Sequence, residues 1–343
     1  MSDAVNLRKA LAAASRDESS TLLIHGMMIV ATFLVATSFP VVAHVTGSLD
    51  SSVLTFIRFA LATLLFAPIV AWHHGLKTPS LVDLLRYALL SVGLVSFFWC
   101  MFAALRTTTP LNTAAIFALT PVLVSVIAAI VLRERLGIRS SIALPIGAAG
   151  AVWVVFRGDL SALLSLQLGT GDLLFFAGTI ALAGYSTLVK VLHRGEPMAQ
   201  MTFWTLATGT FWLFLISIPA LGRVDWPEVP ALAFAGTAYL AVFTTIVTFF
   251  VFQWTTAAIG PTRVSAYTFL TPVFVLMIGL ISGEDLPPLA TWPGAVLVVA
   301  SSLTLQTNWI AKPDRSSRKA ASSRRENSCL GVQEITGRHG LST

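Results

Sequence analysis

The sequence predicts an all-α integral membrane protein whose ten transmembrane helices form two inverted five-helix repeats. Three observations carry that expectation. Ten apolar segments are long enough to cross a bilayer; 55% of the 343 residues are hydrophobic and only 11% charged; and Ala118-Leu119-Thr120-Pro121-Val122 returns 151 positions later as Phe269-Leu270-Thr271-Pro272-Val273. A soluble domain carries about 25% charged residues. With a mean hydropathy of +0.80, this chain lacks the polar surface to cover a water-soluble globule.

The elements follow in order. Residues 1–21 hold Arg8, Lys9, Arg16, Asp17 and Glu18 without a compact apolar core or a small-residue cleavage site. They are expected to be a short cytoplasmic lead and not a removable signal peptide. A span needs roughly 20 apolar residues, because the hydrocarbon core is about 30 Å thick and a helix rises about 1.5 Å per residue. Segments at about 22–43, 53–72, 82–104, 111–132, 140–157, 172–192, 200–221, 230–254, 261–282 and 290–309 qualify. The fifth is short, but Arg139 and Arg157 bracket it. Turn chemistry separates the spans at His73-His74-Gly75 to Pro79, Gly169-Thr170-Gly171 and Asp285-Leu286-Pro287-Pro288. The first repeat is thus expected at 22–157 and the second at 172–309. Residues 310–343 are basic, Ser-rich and without apolar periodicity, and are expected to be a disordered cytoplasmic tail. Cys100 and Cys329 form neither a disulfide framework nor a metal-ligand spacing.

Orientation is read from Lys and Arg. With the N-terminus cytoplasmic, 18 of the 22 fall on the inner side, seven of them in the tail, while only Arg106, Arg157 and Arg223 fall outside and Arg58 lies within a span. Both termini are therefore expected inside, at the cell membrane. The net charge of +6 reflects this topology and anionic headgroups, and implies no nucleic-acid partner.

The repeated pentapeptide is one point of a collinear match. At the same offset Pro110 falls on Pro261 and Phe98 on Phe249; at an offset of 147, Phe56 falls on Phe203, Ala143 on Ala290 and Gly147 on Gly294. Spans one to five repeat as six to ten. Five is odd, so the second copy must enter the membrane from the opposite side. Inverted repeats of this kind recur in secondary transporters.

Thr55-Phe56-Ile57-Arg58-Phe59-Ala60 in the second span, Thr120-Pro121-Val122 leading to Leu132-Arg133-Glu134-Arg135-Leu136-Gly137, and Thr271-Pro272-Val273 leading to Glu284 resemble the ten-span EamA-type members of the drug/metabolite transporter superfamily. The likeness covers about residues 22–309. In the first span Ala36-Thr37-Ser38-Phe39-Pro40 stands where a tryptophan often precedes the small residues of that family. The resemblance implies a permease for a small metabolite, an amino acid or related amphipathic compound, working by alternating access and in the direction of export. The alternatives are uptake of a cationic or nucleoside-like metabolite, or multidrug efflux.

Several residues are candidates for a substrate cavity. Pro121 and Pro272 remove a backbone N–H and should kink their helices, freeing carbonyls at Phe117 and Thr268; Thr120 and Thr271 offer hydroxyls to those carbonyls or to substrate. Pro40 is a third kink candidate, following Ser38, and Tyr185 and Ser186 occupy the corresponding part of the sixth span. Arg58 is the costliest residue in any span. It either bonds helix carbonyls or meets an anionic group such as a substrate carboxylate. Trp99, nearer mid-membrane, and Tyr267 complete the set. Ala143, Gly147 and Ala151, with Ala290 and Gly294, form small-residue faces suited to close helix contact. So do Gly279 and Gly283 as a GxxxG pair. Scaffold packing is expected of them, with a homodimer contact as a second use. Asp83, Glu134, Asp172, Glu284 and Asp285 all sit at span ends, and His25 and His44 near the ends of the first. No carboxylate relay for ion coupling is therefore expected. No His-Glu-x-x-His helix, carboxylate pair or nucleophile with its base is present. The expectation is a carrier with no catalytic residue, metal or cofactor, its partners the bilayer and a small substrate, and not an intramembrane enzyme or a channel.

Overall fold

The computed structural model of the chain describes residues 22–310 except 39, 43–44, 46–48, 76–77, 105–106, 109, 134–135, 166–167 and 284–285. The lead, the tail beyond 310, His44, Glu134, Glu284 and Asp285 lie outside the described residues. Ten apolar helices run through the rest: α1 Leu22–Val42, α2 Ser52–His73, α3 Leu81–Met101, α4 Asn112–Val131, α5 Ile138–Val155, α6 Thr170–Leu192, α7 Met198–Leu221, α8 Ala231–Ile259, α9 Pro261–Ile281 and α10 Leu289–Gln306. No strand occurs among the described residues. Large apolar side chains such as Leu64, Leu81, Ile130, Leu173 and Val296 are turned outward, as a surface solvated by lipid tails requires.

The most extensive contacts all join a helix of the first half to one of the second: α3 with α6, α5 with α10, α2 with α7, and α3 with α7. The main core accordingly mixes Phe59, Leu90 and Phe98 with Phe175, Met201 and Leu206. One contact bears on the duplication. Thr63 of α2 and Thr210 of α7 share a hydrogen bond of 3.0 Å between their hydroxyls, and their separation of 147 is the offset that places Phe56 on Phe203. Equivalent positions of the two copies therefore touch each other.

The glycines of the small-residue faces of α5 and α10 are spent inside the chain. A Cβ built on Gly150 would stand 2.9 Å from the Gly294 carbonyl oxygen, and one on Gly294 would stand 2.8 Å from that of Gly150, so α5 and α10 cross backbone to backbone. Gly147 sits instead against Phe269 and Ser301. Gly283 lies beyond the end of α9 with φ of 89° and no described atom within 4 Å of an added Cβ. It therefore ends the helix by adopting a left-handed conformation.

Helix α8 runs five residues past Trp254, where sequence alone ends it. Thr255 and Thr256 are buried, and Thr255 donates its hydroxyl to the Val251 carbonyl at 2.6 Å and to Met28 Sδ at 3.0 Å. Threonine that satisfies itself on its own helix costs little in an apolar setting. The stop comes at Gly260, with φ of 91°, followed by Pro261.

Candidate functional site

A vestibule of about 840 Å³ opens at one end of the bundle, lined among others by Leu49, Asp50, Thr55, Trp99, Leu213 and Arg223. Asp225 and Glu228, from the turn before α8, add two more carboxylates to its mouth. Trp99 is 46% exposed and stands in its wall. Thr55, almost wholly buried, lies at its edge, and Arg58 is the next residue on the same face of α2, since positions three apart in a helix are neighbours.

Arg58 is buried and faces no carboxylate among the described residues. Its Nε donates to Thr245 Oγ1 at 2.6 Å, and Nη2 donates to the Thr244 carbonyl at 2.8 Å and to Thr244 Oγ1 at 3.0 Å. The guanidinium carbon stands 5.5 Å from the centre of the Phe98 ring, so the negative face of the aromatic quadrupole adds to these dipoles. The segment that receives Arg58 is a π-helical turn, Val242–Val247. A turn of this kind interrupts the regular hydrogen-bond ladder of its helix. The forked, planar donor set of arginine suits two adjacent threonines better than any other cation would.

The two Thr-Pro breaks differ. In α4 the helix stops at Phe117 and restarts at Thr120, and Thr120 donates its hydroxyl to the Phe117 carbonyl at 2.5 Å. In α9 a 3-10 turn spans Tyr267–Leu270 ahead of Pro272. There the buried Thr271 hydroxyl has no partner among the described residues. Ser38 donates to the Val35 carbonyl at 2.6 Å and Ser186 to that of Leu182 at 3.0 Å. Tyr267 shares a hydrogen bond through its hydroxyl with His25 of α1. Pro40 lies within α1.

Tyr185 belongs to a chain of buried polar groups that joins three helices. Thr202 donates to Gln253 Oε1 at 2.6 Å, and Gln253 Nε2 donates to the Tyr185 hydroxyl at 3.0 Å. Gln253 is 1% exposed. Replacing it by leucine strands both neighbours, and a buried polar group left unsatisfied costs about 1–3 kcal/mol. Gln253→Leu is therefore expected to lose about 2 kcal/mol of stability, read as a lower melting temperature in detergent, while Gln253→Glu loses less.

Sequence reasoning singles out neither Thr244, Thr245 and Thr202 nor the partners of Asp172. A signal was present for the first two. An arginine inside a span demands oxygen atoms, and Thr244-Thr245 with Thr248 is a dense run of hydroxyls in an apolar helix. Asp172 is buried; its carboxylate accepts from Thr108 Oγ1, from Asn112 Nδ2 at 3.2 Å and from the Gly169 N–H at 2.6 Å. It caps α6 and ties it to the connection before α4.

Ten apolar helices, a duplicated five-helix unit and a vestibule between its halves define a polytopic membrane protein of the transporter class. Residues 22–156 and 169–306 each match the profile of the EamA-like transporter family, and the chain belongs to that family. It is 25% identical over 286 residues to "Uncharacterized transporter YyaM" of Bacillus subtilis, covering 82% of this chain and 93% of that protein. It is 24% identical over 253 residues to an "Uncharacterized transporter" of Archaeoglobus fulgidus, covering 74% of this chain and 86% of the other. A solved crystal structure superposes with a TM-score of 0.68 at 18% identity, covering 86% of this chain and 99% of its own. That likeness is one of fold.

Proposed function

We propose that the chain is a carrier that exports a small amphipathic metabolite, an amino acid or a related compound, across the cell membrane by alternating access, with both termini cytoplasmic. Two copies of a five-span unit in one chain must run in opposite directions, and the contact of Thr63 with Thr210 is what a two-fold axis through the bundle centre would produce. The observation that carries the substrate reading is Arg58: a buried guanidinium one helical turn beneath Thr55 at the edge of a vestibule, held by neutral oxygens and the Phe98 ring with no carboxylate facing it among the described residues. A substrate carboxylate reaching that depth would supply the missing counter-charge in a setting of low dielectric, where such contacts are strong. Trp99 in the wall offers an apolar face to the rest of the molecule. Gly147, Gly150 and Gly294 of α5 and α10 are taken up by packing within the chain, so a homodimer would have to use the Gly279–Gly283 end of α9 or another surface.

One observation favours a second reading, uptake of a cationic metabolite: the vestibule mouth carries Asp50, Asp225 and Glu228 against Arg223. A thermal-shift screen of the purified protein against zwitterions, carboxylic acids, organic cations and nucleosides separates the two, because a ligand bound only to the native state raises apparent stability. Stabilisation by carboxylates that disappears for their amides is expected. Hits confined to cations would replace the first reading by the second. Counterflow of the hit in proteoliposomes then tests the carrier itself; flux that never accelerates when substrate is placed on the opposite side would mark a channel.

A further inference from the structure

The vestibule has a counterpart at the far end of α3. Arg86 lies 13 residues before Trp99 on that helix, roughly 20 Å at 1.5 Å per residue. Arg86 is 7% exposed, and its Nη2 donates to Glu196 Oε1 at 2.8 Å. The same nitrogen stands 3.3 Å from Asp83 Oδ1 and 3.3 Å from the Tyr87 hydroxyl. Glu196 belongs to the connection between α6 and α7, in the second copy of the repeat. Its other oxygen accepts from the Arg194 N–H at 2.7 Å and lies 3.7 Å from His193 Nδ1. The pair therefore ties one half of the chain to the other at the end opposite the vestibule.

Its composition is wrong for a permanent joint. Apolar side chains of similar volume serve as well or better in such places, and a buried ion pair holds firmly only when every remaining donor is satisfied. Here Arg86 Nε and Nη1 and His193 Nδ1 are buried without a hydrogen-bond partner among the described residues. Those donors gain water as soon as the halves part. The contact is thus strong enough to close the end and loses little when it opens.

We infer that Arg86 and Glu196 form a latch that holds this end shut while the vestibule stands open, and that parts when the vestibule closes. The inference rests on the carrier reading above. Its test uses two cysteine reporters in the full chain with Cys100 and Cys329 replaced by serine: Ala103→Cys in the vestibule wall, and Ser91→Cys, wholly buried on α3 between Arg86 and Trp99 and close to Gly209 of α7. The probe is a hydrophilic maleimide, so no substrate is needed. Glu196→Gln leaves the Arg86 charge buried beside Asp83 alone. It is expected to shift the two-state equilibrium by about tenfold, and so to raise the labelling rate at position 91 by nearly that factor, while the rate at 103 falls only by the fraction of open-vestibule protein that is lost. The double variant Arg86→Met with Glu196→Leu closes the same end with apolar groups, and labelling at 91 should fall to or below the unmodified rate. Unchanged labelling at both positions in folded Glu196→Gln protein overturns the latch. A rise at 91 that persists undiminished in protein already labelled at 103 keeps the latch and sinks the carrier reading, since a vestibule propped open by its adduct has not closed and the two ends then open independently.

Discussion

Arg58→Ala is expected to cut transport by about 100-fold while the protein still inserts and purifies as a monodisperse species. A hydrogen bond to a charged group contributes about 1.5–3 kcal/mol, and 100-fold in rate corresponds to about 2.7 kcal/mol, so the loss of one charged contact to the moving substrate accounts for it. Arg58→Lys should recover less than about tenfold of that, because an ammonium is a point charge and cannot hold the adjacent Thr244 and Thr245 oxygens in a planar fork. The competing view is that Arg58 only fastens α2 to the π-helical turn of α8. Thr245→Val decides between them. It removes the acceptor at 2.6 Å but leaves the guanidinium in place, so it should lower the melting temperature and spare transport per folded molecule. If Arg58→Ala and Thr245→Val lose transport only in proportion to lost folded protein, Arg58 is a fastener and the carboxylate reading falls.

The span count, the helical class and the duplicated architecture are legible in the chain because each depends on quantities a sequence carries directly. Length times rise gives a span, and a fixed offset gives a repeat. The positions where reading the sequence stops short share another cause. Thr120 and Thr271 occupy the same place in the repeated motif, yet one hydroxyl lies on the Phe117 carbonyl and the other is left without a partner. The difference is one of helix rotation and local 3-10 winding, to which a repeated tripeptide is blind. Arg86 and Glu196 are 110 positions apart, and nothing in either local sequence names the other. Trp254 looks like a helix end because tryptophan favours the interface, and it is not one here because Thr255 and Thr256 are buried and Thr255 satisfies its hydroxyl on its own helix. The small-residue faces were legible as faces. Which glycine makes the closest approach was not, since Gly147 and Gly150 differ by less than one turn of α5.

That last distinction leads to the largest stability effect expected in the molecule, at Gly158. Helix α5 ends with Arg157 at φ of 53° and Gly158 at φ of 78°. The second turns the chain so tightly over the start of α10 that a Cβ there would lie 2.5 Å from both the carbonyl carbon and the oxygen of Ala290. The same Ala290 oxygen accepts from Trp153 Nε1 at 2.6 Å, so it cannot retreat without losing that bond. Gly158→Ala therefore meets two penalties. A left-handed conformation costs a residue with a Cβ about 1–3 kcal/mol, and forced overpacking adds about 1–3 kcal/mol more. Gly75 supplies the control: its φ is 71°, and no described atom stands within 4 Å of an added Cβ, so Gly75→Ala should show only the first penalty. Thermal denaturation in detergent is expected to rank Gly158→Ala well below Gly75→Ala, with Gly294→Val also destabilised because the Gly150 carbonyl and the Trp153 ring leave no room for it. Equal melting temperatures for Gly158→Ala and Gly75→Ala would mean that the contact with Ala290 gives way freely, and that α5 and α10 are held by something other than their close backbone approach.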